Sequence, residues 1–157
     1  MSTLLTKPFT IQEITPLRRA VARHASTSGL AGARLEDFVL AVHESIVNAV
    51  EHGGGRGHLK MWSADGLLRV ETVDHGPGIP RTYLNGNGEP SDTAYAGRGI
   101  YLIRRLCDGV DLRTGPAGTT VQITMRLPRR GPRRTSPMKR VRVAANGIHP
   151  HAGRFTA

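Results

Sequence analysis

The stretch Glu44-Ser45-Ile46-Val47-Asn48-Ala49-Val50-Glu51-His52-Gly53-Gly54-Gly55 decides how this chain is read. Backwards from the three glycines, Val50, Ala49, Ile46, Val42, Val39, Phe38 and Leu35 follow the i, i+3, i+4, i+7 spacing of one helical face. That spacing predicts a helix from about Ala31 to His52, stopped by the glycine run. Turning 100° per residue, Glu44, Asn48 and His52 make a second stripe on the side away from Leu35, Val42 and Ile46. Most such stripes are solvated polar faces. This one is flanked by Leu40 and Val47, and it sets a carboxylate one turn ahead of a carboxamide. The first can take a proton from a hydroxyl or a water, and the second can offer a neutral oxygen to a hard cation such as Mg²⁺.

Around this helix the chain alternates cleanly. Leu17, Ala20, Val21 and His24 predict an earlier amphipathic helix over Pro16–Ser28, with Thr15 as its cap and Pro16 in its first turn. Two β-rich runs, His58–Ser63 and Leu67–Val73, meet at Asp65-Gly66, a hairpin signal. From Asp74 to Gly99 there is no periodicity but much Gly, Pro, Asn and Ser, and a loop that long in a compact domain is usually functional or disordered. Ile100–Cys107 reads as a short helix. Val110–Thr114 and Thr119–Leu127 read as strands joined by the turn Gly115-Pro116-Ala117-Gly118. The order predicts an α+β fold: a two-layer sandwich with helices on one face of a mostly antiparallel sheet.

The 157 residues suit one domain with one core. The net charge of +10 misleads, because residues 129–157 carry eight of the 22 Lys and Arg and none of the 12 acids. We therefore divide the chain into an expected folded domain, 1–128, and a basic, Pro- and Arg-rich tail, 129–157, expected to be disordered. Eight positive charges suit weak, salt-sensitive binding of polyanions by the tail alone. The single cysteine, Cys107, excludes an intrachain disulfide framework and a multi-cysteine metal site. No apolar run approaches the length of a membrane span and no secretory leader is visible, so the expected location is cytoplasmic.

Three more segments have chemical potential. Asp74 ends a strand and is followed by Gly76 and Gly78, so its carboxylate can accept from a ligand amine while backbone approaches closely. Gly97-Arg98-Gly99-Ile100 opens a helix, and small residues at a helix N-terminus favour phosphate. Gly118-Thr119-Thr120 starts the last strand. Singly, each reads equally well as an ordinary turn or helix entry.

Their order is more informative. Glu44-x-x-x-Asn48-Ala49-x-x-His52, then Asp74-x-Gly76-x-Gly78, then Gly97-x-Gly99, then Gly118-Thr119 resembles the Bergerat (GHKL) ATP-binding fold over roughly residues 10–128. The P-loop pattern Gly-x-x-x-x-Gly-Lys-[Ser/Thr] is absent. Within that superfamily the chain is most similar to the small anti-sigma-factor serine/threonine kinases of bacteria and their single-domain actinobacterial relatives. The likeness lies in Glu44 four residues before Asn48, in Asn48-Ala49-x-x-His52, and in Gly97-Arg98-Gly99-Ile100-Tyr101-Leu102. The segment from Arg81 to Ala96 and the tail depart from the family pattern.

The resemblance implies a role for each position. Asp74 would accept from the adenine amino group and Thr119 would help hold that edge. Gly76 and Gly78 would let the loop pass close to the nucleotide. Asn48 would bind Mg²⁺, while Gly97, Arg98, Gly99 and Ile100 would embrace the phosphates. Glu44 would be the general base toward a serine or threonine hydroxyl on an anti-sigma-factor antagonist. His52 is expected to be structural. The implied cofactors are ATP and Mg²⁺. The implied partners are the antagonist, a sigma factor and a second copy of the chain, with no membrane. The competing reading is an ATP-binding regulatory module that binds a partner without phosphotransfer. A third, the catalytic half of a split histidine kinase, is disfavoured by Glu at position 44 and by the lack of an upstream dimerising helix pair carrying an acceptor histidine.

Overall fold

The computed structural model describes residues 1–81 and 95–129. The chain starts with strand β1 (Ser2–Thr10), a 3-10 turn (Ile11–Glu13), helix α1 (Ile14–Ser28) and helix α2 (Gly32–His52). Strands β2 (Arg56–Ala64) and β3 (Leu67–Asp74) follow, then helix α3 (Tyr95–Leu106) and strands β4 (Gly109–Gly115) and β5 (Gly118–Arg126). The strands form one sheet in the order β1-β2-β3-β5-β4, with every neighbouring pair antiparallel. Among the described residues, helices α1, α2 and α3 lie on one face of it. The architecture is the α+β two-layer sandwich that the sequence predicts.

Alternation along the central strands shows where the core sits. Leu59 and Met61 of β2, Leu68 and Val70 of β3, and Val121, Ile123 and Met125 of β5 are buried on the helix side. They meet Leu17, Val21 and Ala25 of α1, Phe38, Ala41, Val42, Ile46 and Ala49 of α2, and Ile100 and Ile103 of α3. The β2–β3 hairpin turns at Asp65 and Gly66, whose φ values of 53° and 72° are both in the left-handed region that a tight two-residue turn requires.

Three sequence expectations need correction. β1 is a full edge strand, paired with β2 from Ser2↔Ser63 to Thr10↔Arg56, where the sequence suggested none. Thr15 does not cap α1. Thr10 instead caps the 3-10 turn that precedes α1: its N–H donates to Glu13 Oε2 (2.7 Å) and its Oγ1 accepts from Gln12 N–H (3.4 Å), so the chain is already turning before Pro16. Finally, α3 begins at Tyr95 and not at Ile100, which puts Gly97, Arg98 and Gly99 inside the helix. Most of the segment from Arg81 to Ala96 and all of the tail beyond Arg129 lie outside the described residues.

A clasp closes the far end of the sandwich. Arg34, in the first turn of α2, donates to both carboxylate oxygens of Asp108 (3.0 and 2.6 Å) and to the Arg126 carbonyl (3.1 Å). Asp108 also accepts from Arg126 N–H at 2.7 Å. The hydrogen bonds from the Arg34 guanidinium hold the Asp108 carboxyl down to about 2.

A candidate nucleotide cleft at the glycine-rich end

Asp74 is the last residue of β3 and pairs with Thr119 at the start of β5. Both side chains are buried, at 8% and 5% exposure, on the helix side of the sheet. One oxygen, Asp74 Oδ1, accepts from two backbone groups, Gly76 N–H at 3.0 Å and Thr119 N–H at 3.1 Å. Among the described residues Oδ2 has no hydrogen bond, and it is turned toward Gly53 at the end of α2. Glycine is required there: a Cβ on Gly53 would overlap the Asp74 carboxyl, and one on Gly76 would come within 2.5 Å of Gly53 backbone. The glycines after α2 and after β3 thus serve one purpose, to let two backbones meet beneath a carboxylate.

Threonines tie down the other rim. Thr114 Oγ1, at the end of β4, accepts from Ile79 N–H at 2.7 Å and lies 2.9 Å from Thr119 Oγ1. Together these residues line a narrow cleft whose cavity volume is about 10 Å³. It is lined by Ser45, Asn48, His52 and Gly53 from the α2 side, Asp74 and Thr72 on β3, and Ile79 and Thr119 opposite.

The polar stripe on α2 runs along this cleft toward α3. The start of α3 crosses over Glu44 and Asn48 so closely that a Cβ on Gly99 would lie 3.0 Å from Asn48 Nδ2, 3.1 Å from Asn48 Oδ1 and 3.2 Å from Glu44 Oε2. Glu44 and Asn48 are thus half-buried under α3, while His52 at the end of the stripe is exposed. Among the described residues, Asn48 Nδ2 is buried and has no hydrogen-bond partner. A buried carboxamide left unpaired costs free energy, so this site suits a ligand that completes it.

Of the residues that the sequence singled out, the structure brings four to one cleft, while Glu44, Gly97, Arg98, Gly99 and Ile100 are not in its lining. Asn48, Asp74, Gly78 and Thr119 line the cleft. Gly76 and Gly99 are the close-approach positions. Gly97 is buried in the first turn of α3, Arg98 is exposed beside it, and Ile100 is a core residue, 1% exposed. Because α3 starts at Tyr95, its first four N–H groups, which have no acceptor within the helix, include those of Gly97 and Arg98. His52 was expected to be structural, yet it stands on the cleft rim. Ser45, Thr72 and Thr114 were not singled out; only the register of β3, β4 and β5 brings the threonines together.

Among the described residues no group of three or more His, Cys, Asp or Glu side chains is arranged to hold a metal. The one neutral oxygen that this face would offer a magnesium ion is the Asn48 carboxamide oxygen, which is the kind of ligand a hard cation accepts. Cys107 adds no nucleophile, since burial pushes its thiol up to about 12. Among the described residues no helix is long and apolar enough to cross a membrane.

Helices packed on one face of a five-stranded antiparallel sheet in this order match the Bergerat (GHKL) ATPase fold. The chain belongs to the histidine kinase-like ATPase domain family, whose sequence profile matches residues 8–125. Among solved structures it is similar to the RsbU and RsbW domains of Rv1364c from Mycobacterium tuberculosis, at 23% identity and a TM-score of 0.54, over 78% of this chain and 32% of that one. It is also similar to the histidine kinase domain of the blue-light activated histidine kinase of Erythrobacter litoralis, at 22% identity and a TM-score of 0.47, over 69% and 64% of the two chains. This chain thus spans about a third of the first protein and less than two thirds of the second. No curated protein sequence matches.

Proposed function

We propose that this protein is an ATP-dependent serine/threonine protein kinase that acts as an anti-sigma factor and phosphorylates an anti-sigma-factor antagonist. The observation that carries this reading is Glu44, one turn ahead of Asn48 on α2, facing the same glycine of α3 as Asn48 does. The partner class rests on the motif resemblance, chiefly Glu44 with Asn48-Ala49-x-x-His52 and Gly97-Arg98-Gly99.

In this reading Asp74 accepts the adenine amino group through Oδ2, and Thr119 holds the same edge of the base. Gly76 and Gly78 keep the turn close to the nucleotide. Gly97, Arg98 and Gly99, ahead of Ile100, present the N-terminal end of α3 to the phosphates. Asn48 offers its carboxamide oxygen to magnesium, which when bound supplies charge neutralisation at the phosphate oxygens. Glu44 accepts the proton of the partner's serine or threonine hydroxyl as that oxygen bonds to the γ-phosphorus and ADP departs.

Glu44→Ala tests the assignment. It is expected to keep ATP–Mg²⁺ affinity close to wild type and to lose phosphotransfer to the partner by about two to four orders of magnitude, the usual contribution of a positioned base. Transfer at the wild-type rate would remove Glu44 from the mechanism. Stoichiometric ATP binding without transfer in the wild type would leave the regulatory-module reading.

A further inference from the structure

The Thr119 hydroxyl, placed above at the edge of the base, has a partner to which those roles assign nothing, Thr114. Thr119 Oγ1 lies in the cleft wall and Thr114 Oγ1 lies behind it, 2.9 Å away. Thr114 Oγ1 is itself held by Ile79 N–H at 2.7 Å. A backbone N–H can only donate, so one lone pair of the Thr114 oxygen is committed, and its hydroxyl hydrogen is available to Thr119. When Thr114 donates to Thr119, the Thr119 hydrogen is left to point into the cleft. Beside it, Asp74 Oδ1 is saturated by two backbone donors and Oδ2 is a pure acceptor. The wall then shows an acceptor, Asp74 Oδ2, next to a donor, Thr119 O–H.

We infer that Thr114 is a specificity-determining positioning residue: it fixes the Thr119 hydroxyl as a donor and so sets the cleft's preference for adenine over guanine nucleotides. Adenine presents an amino donor next to a ring-nitrogen acceptor, which complements this pair. Guanine presents a carbonyl acceptor next to a ring N–H donor, which opposes both groups. A hydroxyl freed from Thr114 can rotate and offer either sense, so discrimination falls while the cleft persists. This inference rests on the reading of the cleft as the ATP site and adds to it a residue outside the four family motifs.

The experiment is calorimetric titration of the full chain with ATP and with GTP, each with Mg²⁺, for wild type, Thr114→Val and Thr114→Ser. Wild type is expected to prefer ATP by at least about tenfold. Thr114→Val keeps the shape but has no hydroxyl, and is expected to lower the ATP-to-GTP affinity ratio by at least about threefold. Thr114→Ser keeps the hydroxyl and is expected to restore the ratio. A general loosening of the fold would weaken both nucleotides alike and leave the ratio unchanged. An unchanged ratio in a folded Thr114→Val protein, with ATP still bound, overturns the role of Thr114 alone. Should Thr114→Val melt below the assay temperature, Thr114→Ala against Thr114→Ser makes the same comparison. A wild type that binds neither nucleotide overturns the ATP reading, and this inference with it.

Discussion

Gly99 of α3 lies tightly against the Asn48 carboxamide of α2: a Cβ there would lie 3.0 Å from Asn48 Nδ2, a contact that a methyl group could make only by displacing its neighbours slightly. In the proposed function, the contact would join the helix that offers a base and a cation ligand to the helix whose N-terminal end would face the phosphates. It predicts separable effects for Gly99→Ala. Alanine favours the helix by up to about 1 kcal/mol over glycine, which offsets the steric cost of pushing Asn48 and Glu44 aside by a few tenths of an ångström. The variant is expected to melt within about 3 °C of wild type while losing at least tenfold in ATP–Mg²⁺ affinity, read by thermal denaturation and calorimetry. Wild-type affinity would mean that Asn48 does not contact the ligand.

Asp74 gives a second separation, because its two oxygens do different work. Asp74→Asn keeps an Oδ1 that accepts from Gly76 and Thr119, so the fold is expected to persist. Its NH₂ then stands where an acceptor is needed, and loss of a charge-assisted bond predicts a roughly ten- to hundredfold fall in ATP affinity. Asp74→Ala leaves both N–H groups unpaired and is expected to destabilise by about 2 kcal/mol or more in urea unfolding. Equal stability of the two variants would contradict the division between Oδ1 and Oδ2.

How much of this was legible beforehand varied with the kind of force involved. α2, the β2–β3 hairpin and the β4–β5 pair were readable because burial imposes periodicity on the sequence. β1 was not: Lys7 and Pro8 interrupt it, and an edge strand tolerates both because only one of its sides is hydrogen-bonded. The start of α3 was hidden because Gly97 and Gly99 look like loop residues, whereas both are buried in the helix and Gly99 lies against Asn48 and Glu44 of α2. Thr114 left no trace in the sequence, because its partner Ile79 N–H is a backbone group 35 residues away. Close approach and register arise only in three dimensions.

The Arg34–Asp108 clasp predicts an acid-sensitive contribution to stability. Asp108 titrates at about 2 in the folded protein, below its ordinary 3.8. A depressed folded-state value means the contribution is present above about pH 4 and is lost as pH falls toward 2. With the Arg34 and Asp108 side chains 47% and 27% exposed, solvent screening limits it to about 1 kcal/mol. Asp108→Asn is expected to lower neutral-pH stability by that amount and to flatten the decline between pH 4 and 2 in urea titrations. Parallel pH profiles for the two proteins would exclude the clasp as the source.

Deletion of residues 129–157 should leave ATP affinity within a factor of about two, because the cleft residues end at Val121 and the family match ends at residue 125. The same deletion should abolish any binding to bulk DNA at low salt, since it removes eight positive charges. A large loss of ATP binding on truncation would place the domain boundary beyond Pro128.

The central claim is that this fold transfers phosphate from ATP to a serine or threonine of another protein. The most direct measurement incubates the purified chain with γ-labelled ATP, Mg²⁺ and proteins co-purified from its own host, then compares the label remaining after acid and after alkali. Label on the partner that survives acid and depends on Glu44 is the predicted result, because phosphoserine and phosphothreonine are acid-stable esters. Acid-labile, alkali-stable label would mark a phosphohistidine, and no label despite saturating ATP binding would mark a module without transfer. Either result would contradict the account.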